Sequence, residues 1–250
     1  MDWVKTFYAR QDELLGVYTG DMADDGRRRA AAIGRLAGDG PKRVLELGAG
    51  GGQAAAATTD LGHDVVAVEL VSAAAEHASR LANDRRTGSL TVISGDFYEV
   101  EPGGRFDVVC YWDGFGVGTD ADQRRLLRRV RNWLDAGGCA LLDVNTPWYW
   151  ASAAGREMRF GEVARRYGFD AEECRMLDRW WPVGAEGAAV TQSLRCYSPA
   201  DLRLLLEGTG LTLASVEPGA GMMEDDSGRF VDQVPLDRAM QYIATLVPTP

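Results

Sequence analysis

From residue 41 to residue 145 the chain alternates between short, unbroken apolar runs and longer stretches whose apolar positions recur at helical spacing. An unbroken run is what a strand buried on both faces shows, while a 3.6-residue period marks a helix with one covered side. Strands are therefore expected at 42–47, 64–69 (DVVAVE), 90–94, 106–112 (FDVVCYW) and 139–144. Helices are expected at 52–61, at 72–83 with Ser72 as its cap, and at 120–134 with Leu126, Val130, Trp133 and Leu134 on one side. Gly137-Gly138 ends the last of these. After Asn145 the rhythm breaks. Residues 147–197 hold PWYWA, a polar helical stretch and two strand-like pieces at 175–181 and 189–197, which together suggest an inserted hairpin or lid.

Ser198-Pro199-Ala200-Asp201 is a strong helix start: a cap, a proline in the first turn and an acid three residues after the cap. That helix runs to Gly208 or Gly210, with strands at 211–216 and 241–247 and a long loop over 218–239 between them. The fold class expected is α/β: a doubly wound, mostly parallel seven-stranded sheet with helices on both faces. Four segments follow: an N-terminal helical flap (1–40), a nucleotide-type core (41–146), an inserted lid (147–197) and a C-terminal completion of the sheet (198–250).

Composition narrows the function. A net charge of −10 repels phosphate backbones, so nucleic acid is not expected as a partner. The arginines at 124, 125, 128 and 129 alternate with a leucine and valine stripe, as the solvated side of a helix does. No apolar stretch approaches the ~20 residues of a membrane helix. The start of the chain has no secretory pattern, so a cytoplasmic protein is expected. Cys110, Cys139, Cys174 and Cys196 form no CxxC pair, and with only two histidines no metal site is expected. Lys5 and Lys42 are the only lysines, a bias that suggests a high-GC bacterial source.

The chemistry centres on VLELGAGGGQ, residues 44–53. A dinucleotide loop needs G-x-G-x-x-G, but Gln53 stands at the third glycine position, which disfavours an NAD-type oxidoreductase. Glu46, Gly48, Gly50 and Gly52 instead spell E-x-G-x-G-x-G. At this point the chain resembles the class I (Rossmann-like) S-adenosylmethionine (SAM)-dependent methyltransferases of the small-molecule type. The resemblance implies SAM as cofactor, with S-adenosylhomocysteine (SAH) as its product. It implies Glu46 for the amino group, Glu69 for the ribose hydroxyls, Leu70 against adenine, and Asp96 with Phe97 at the adenine edge. Tyr111-Trp112-Asp113-Gly114-Phe115 then faces the transferred methyl, and Leu134-Asp135-Ala136-Gly137-Gly138 stands at the family's L-x-P-G-G turn, with Ala136 for proline. A SAM-fold binding protein or a cyclase is the alternative of another class.

In-line displacement from a sulfonium asks mainly for alignment in a dry site. His63 precedes a strand and His77 lies inside a helix, so neither is expected to act as a base. That scarcity favours an amine acceptor, or second an oxygen, with Asp113, Tyr111 and Tyr149 as candidate bases or orienters. Phe115, Trp148, Trp150 and Trp181 are expected to form an aromatic pocket for a flat or amine-bearing metabolite, and Trp112 to face the cofactor. From the flap, Tyr8 closes over the substrate, Tyr18 over the cofactor, and Arg27 or Arg28 pairs with the SAM carboxylate. Such stand-alone bacterial enzymes commonly tailor secondary metabolites.

Overall fold

A computed structural model describes residues 2–18, 24–222 and 230–249, with backbone alone for residues 2, 222 and 230. Helices α1 (Asp2–Leu15) and α2 (Asp24–Ala37) lead into β1 (Arg43–Leu47), α3 (Gln53–Asp60), β2 (Asp64–Glu69), α4 (Ser72–Ala82) and β3 (Leu90–Ser94). Then come β4 (Phe106–Tyr111), α5 (Asp120–Trp133), β5 (Leu134–Asn145) and α6 (Pro147–Ala153). Four strands follow, β6 (Glu157–Phe160), β7 (Val163–Asp170), β8 (Arg175–Pro182) and β9 (Val190–Arg195), and then α7 (Pro199–Leu206). The chain ends through β10 (Leu211–Pro218), β11 (Gly221–Met222), β12 (Phe230–Val231) and β13 (Gln241–Pro248).

The main sheet has seven strands in the order β10-β13-β5-β4-β1-β2-β3, with β13 antiparallel to both neighbours and the other pairings parallel. Leu126, Leu127, Val130, Leu202 and Leu205 of α5 and α7 cover one face, and Ile33, Ala54 and Ala55 of α2 and α3 cover the other. The chain runs outward through β2 and β3 and then returns to β4 on the opposite side of β1. This reversal opens a crevice at the carboxyl ends of β1 and β4, where doubly wound sheets bind ligands. Among the described residues no helix is long and apolar enough to cross a membrane.

Several expectations are corrected. Residues 157–170 are not helical but form two strands of a four-stranded antiparallel sheet, β6-β7-β8-β9, so the insertion is a sheet rather than a hairpin. Its inward positions include Arg165 and Asp178, and a strand that buries charge loses the alternation by which strands are read. Ser72 does not cap α4; Val71 holds that position without a side-chain hydrogen bond. Gly137-Gly138 does not separate helix from strand, because β5 already begins at Leu134. A Cβ at Gly138 would lie 2.8 Å from the Asp107 oxygen and 2.9 Å from that of Phe106, so the bare glycine lets β5 run against β4. The loop over 218–239 contains the short β11–β12 pair, and residues 223–229 lie outside the described residues. By contrast, Ser198 and Asp201 form the expected capping box, each side chain accepting from the other's backbone N–H at 3.1 Å.

Candidate active site

A cavity of about 480 Å³ opens at the carboxyl ends of β1, β2 and β4, and α1 and α2 close it from above. Its floor is the loop that follows β1, where Gly48, Gly50 and Gly52 all take positive φ (60°, 54° and 81°), a conformation that suits glycine. Glu69, the last residue of β2, binds this loop. One carboxylate oxygen accepts from Gly50 N–H and the other from Val71 N–H, both at 2.7 Å. Burial raises the Glu69 carboxyl, and the N–H groups of Val71, Gly50 and Leu70 oppose that.

Glu46, one residue before the end of β1, is almost wholly buried, and its Oε2 has no hydrogen-bond partner among the described residues. Burial pushes its carboxyl up to about 8; Arg29 opposes the shift and Glu69 adds to it. Arg29, on α2, reaches into the same space, 3.2 Å from Asp25 and 3.8 Å from Asp143. Burial disfavours its charge, but Asp143, Asp113, Asp25 and Glu46 together hold the guanidinium above its ordinary value. The same burial raises Asp143 to about 7, opposed by Arg29.

Asp113 follows β4 with φ 58°, a left-handed conformation uncommon outside glycine, and its N–H donates to Asp143 at 3.2 Å. Its side chain is exposed and lines the cavity. Enclosure by the surrounding chain raises its pKa, with Arg29 opposing. Tyr8, Tyr18 and Tyr111 share this end of the cavity. Burial raises all three hydroxyls above the ordinary phenol value, so at neutral pH they donate hydrogen bonds and do not act as bases. Gln192, from β9, donates to the Tyr8 oxygen at 2.7 Å and leaves that hydroxyl proton for another acceptor.

The structure brings many of the sequence candidates together and separates others. Glu46, Gly48, Gly50, Glu69 and Leu70 lie on the cavity wall, as do Asp96, Phe97 and Trp112. Tyr8, Tyr18, Tyr111 and Asp113 line the same space. Gly52 instead lies against α4, where an added Cβ would stand 2.6 Å from the Ala78 Cβ. Arg28 points away, exposed and paired with Asp25 and Asp232, and Arg27 pairs with Asp24. Phe115 is core, packed on Tyr197 at 5.7 Å. Trp150 bonds Asn145 at 3.1 Å and meets Tyr167 edge-on, with Tyr149 beside it at 5.3 Å. Burial also raises the Tyr149 hydroxyl. Trp181 lies beside Arg179 and Arg166, and Trp148 is away from the wall. The expected aromatic pocket is thus largely packing for the added sheet, and the wall near Asp113 is polar.

Sequence reasoning missed Arg29, Asp143 and Gln192. Arg29 had a signal: Gly26, Ala30 and Ile33 form the buried stripe of α2, and that phase points to position 29 rather than 27 or 28. Asp143 had one too, an acid one residue before the end of an expected strand, whereas Gln192 had none, since it reaches the site only through sheet pairing.

Residues 44–138 match the family described as "Methyltransferase domain". No protein of curated function matches the chain by sequence. Among solved structures the chain is similar to the CcbJ methyltransferase from Streptomyces caelestis: 21% identity, 93% of this chain and 92% of that one covered, TM-score 0.71. It is similar to the glycopeptide N-methyltransferase MtfA at 23% identity, covering 92% and 93% of the two chains with a TM-score of 0.60. It is also similar to SAM-bound CalS10, an amino pentose methyltransferase from Micromonospora echinaspora involved in calicheamicin biosynthesis: 21% identity, 91% and 92% covered, TM-score 0.59.

Proposed function

We propose, from the premise that this chain carries a class I, SAM-dependent methyltransferase domain, that it methylates a nitrogen of a small amine-bearing metabolite. The observation that carries this reading is the charge of the cavity. Among the described lining residues Asp25, Asp96, Glu99, Asp113 and Asp122 outnumber the two cations, Arg29 and Arg125, and Asp113 stands beside the phenols Tyr8, Tyr18 and Tyr111. An acceptor that arrives as an ammonium ion is attracted to such a wall, and a neutral phenol gains less from it.

The residues present fit the cofactor. The partnerless Glu46 Oε2 is a buried acceptor suited to an amino group, and Arg29 is a half-buried donor suited to a carboxylate. In this reading Arg29 takes the role expected of Arg28. Glu69 serves the ribose hydroxyls, with Asp96, Phe97 and Leu70 at adenine. The glycine cradle, held by Glu69 at the Gly50 N–H, has no side chain to keep a ligand from its backbone. Bound SAM supplies a methyl group on a positively charged sulfur.

Transfer is an in-line displacement: the nitrogen–carbon bond forms while the carbon–sulfur bond breaks, and that electron pair stays on sulfur. Asp113 holds the incoming ammonium, accepts its proton and aims the lone pair. Tyr8, oriented by Gln192, donates to a polar atom of the acceptor. The similarity to MtfA and CalS10, whose names carry an N-methyltransferase and an amino pentose methyltransferase, supports this reading. The involvement of CalS10 in calicheamicin biosynthesis supports a role in secondary-metabolite tailoring.

The test is to incubate the protein with methyl-labelled SAM and panels of amines and phenols, following label by mass spectrometry. N-methylated amines, lost on Asp113→Asn by a factor of about 100 or more, are the expected result. Label found only in phenols, protein or RNA overturns the acceptor. Binding of NAD in place of SAM and SAH overturns the premise.

A further inference from the structure

We propose that His77, on α4, is a positioning residue for the cofactor cradle: it fixes the peptide between Gly51 and Gly52 in the orientation that cofactor binding needs. This rests on the SAM reading above. His77 Nδ1 stands 2.7 Å from the Gly51 carbonyl oxygen. A carbonyl only accepts, so the imidazole is the donor and Nδ1 carries the proton.

The two glycines are required by opposite neighbours. A Cβ at Gly51 would lie 1.9 Å from the Tyr18 backbone oxygen, because the flap closes directly on the loop. A Cβ at Gly52 would lie 2.6 Å from that of Ala78 on α4. With no side chain on either flank, the Gly51–Gly52 peptide has little intrinsic preference for one orientation. If it turned over, the Gly51 carbonyl would leave His77. The Gly52 N–H would then leave the Ala49 carbonyl, which it reaches at 3.0 Å. Gly51 lines the cavity, so a carbonyl turned inward would set a partial negative charge on the wall that receives the cofactor. The close approach of the flap thus leaves a peptide whose orientation rests on hydrogen bonds, the Gly52 N–H to Ala49 on one side and His77 to the Gly51 carbonyl on the other.

The experiment compares SAH binding by calorimetry in the full-length wild type, His77→Leu and His77→Gln, with melting temperatures and amide hydrogen exchange at Gly52. His77→Leu is expected to melt near the wild type, bind SAH about fivefold more weakly and exchange Gly52 faster, as loss of one hydrogen bond implies. The glutamine amide can donate to Gly51, and His77→Gln is expected to recover most of the affinity. If His77→Leu does not fold, His77→Asn, too short to reach Gly51, takes its place in the comparison with His77→Gln. Equal SAH affinity and equal Gly52 exchange across the variants overturn the role of His77 alone. A wild type that does not bind SAH overturns the cofactor reading beneath it.

Discussion

Between β1 and β4 the side chains that meet are Val44, Leu45, Val108 and Val109, all fully buried. Across β7 and β8 the inner face carries Arg165, Tyr167, Asp178 and Trp180 instead. There the guanidinium of Arg165 lies 4.2 Å from the Trp180 ring and 4.4 Å from Tyr167, and it holds Asp178 through two hydrogen bonds of 2.8 and 2.7 Å. The first region is held by non-directional burial and tolerates any apolar residue of the right volume. The second is held by directional contacts, each of which depends on its partner. The difference follows from what each sheet covers. The parallel sheet packs between helices, whereas the antiparallel sheet faces the flap, where Gln192 meets Tyr8 on the cavity wall.

Stability measurements put the largest effect on this contrast. Asp178→Ala leaves Arg165 without its carboxylate and is expected to cost about 3–5 kcal/mol by urea denaturation. Replacing the pair together, Arg165→Met with Asp178→Leu, is expected to recover most of that loss. Leu45→Ala is expected to cost about 2–5 kcal/mol through the cavity it leaves, with no partner substitution that restores it. If the double replacement in the added sheet is as damaging as Asp178→Ala alone, the distinction between the regions fails.

The two ends of the site divide in the same way. Glu69→Ala, at the core end, is expected to weaken SAM binding at least about tenfold, since in the proposed reading it removes two charge-assisted bonds to ribose. It also frees the N–H groups of Gly50 and Val71, so the melting temperature falls with it. Tyr8→Phe, at the lid end, is expected to leave SAH affinity within about twofold while raising the KM for the acceptor, as loss of one neutral hydrogen bond does. An effect on SAH as large as that of Glu69→Ala would show that the lid side serves the cofactor.

Protonation gives a finer comparison. With its pKa raised to about 8, Glu46 is mostly neutral at pH 7 in the free protein. A cationic amino group beside it favours the carboxylate, so cofactor binding should release a proton and tighten as pH rises toward about 8. Calorimetry in buffers of different ionisation enthalpy reads this release, and Glu46→Gln should abolish it. The smallest effect concerns His63, far from the site, whose Nδ1 accepts the Lys42 N–H at 3.1 Å. Burial lowers its pKa, with Lys42 adding to the shift, so the folded state favours the neutral ring. Its contribution is present above the ordinary imidazole range and is lost as pH falls through the lowered folded value. The urea midpoint should decline over that interval in the wild type and less in His63→Gln.

Apolar runs and glycine punctuation determined the parallel sheet, its helices and the position of the cradle, because a strand buried on both faces and a loop at its end are local properties of the chain. The same local logic placed Glu46, Glu69 and Asp96 at strand ends and the capping box at Ser198. Tertiary structure decided the rest. The strands over 157–170 carry charge inward because their covering is the flap and the site rather than an apolar layer, and no window of sequence contains that information. Trp148, Trp150 and Trp181 look like a pocket in sequence but pack with the added sheet or stand off the cavity wall. Asp143, Gln192 and His77 reach the site across 30, 184 and 26 positions from their bonded partners Asp113, Tyr8 and Gly51. Contacts of that span exist only once sheet order and helix packing are set, so the folded chain chooses them and the local pattern does not.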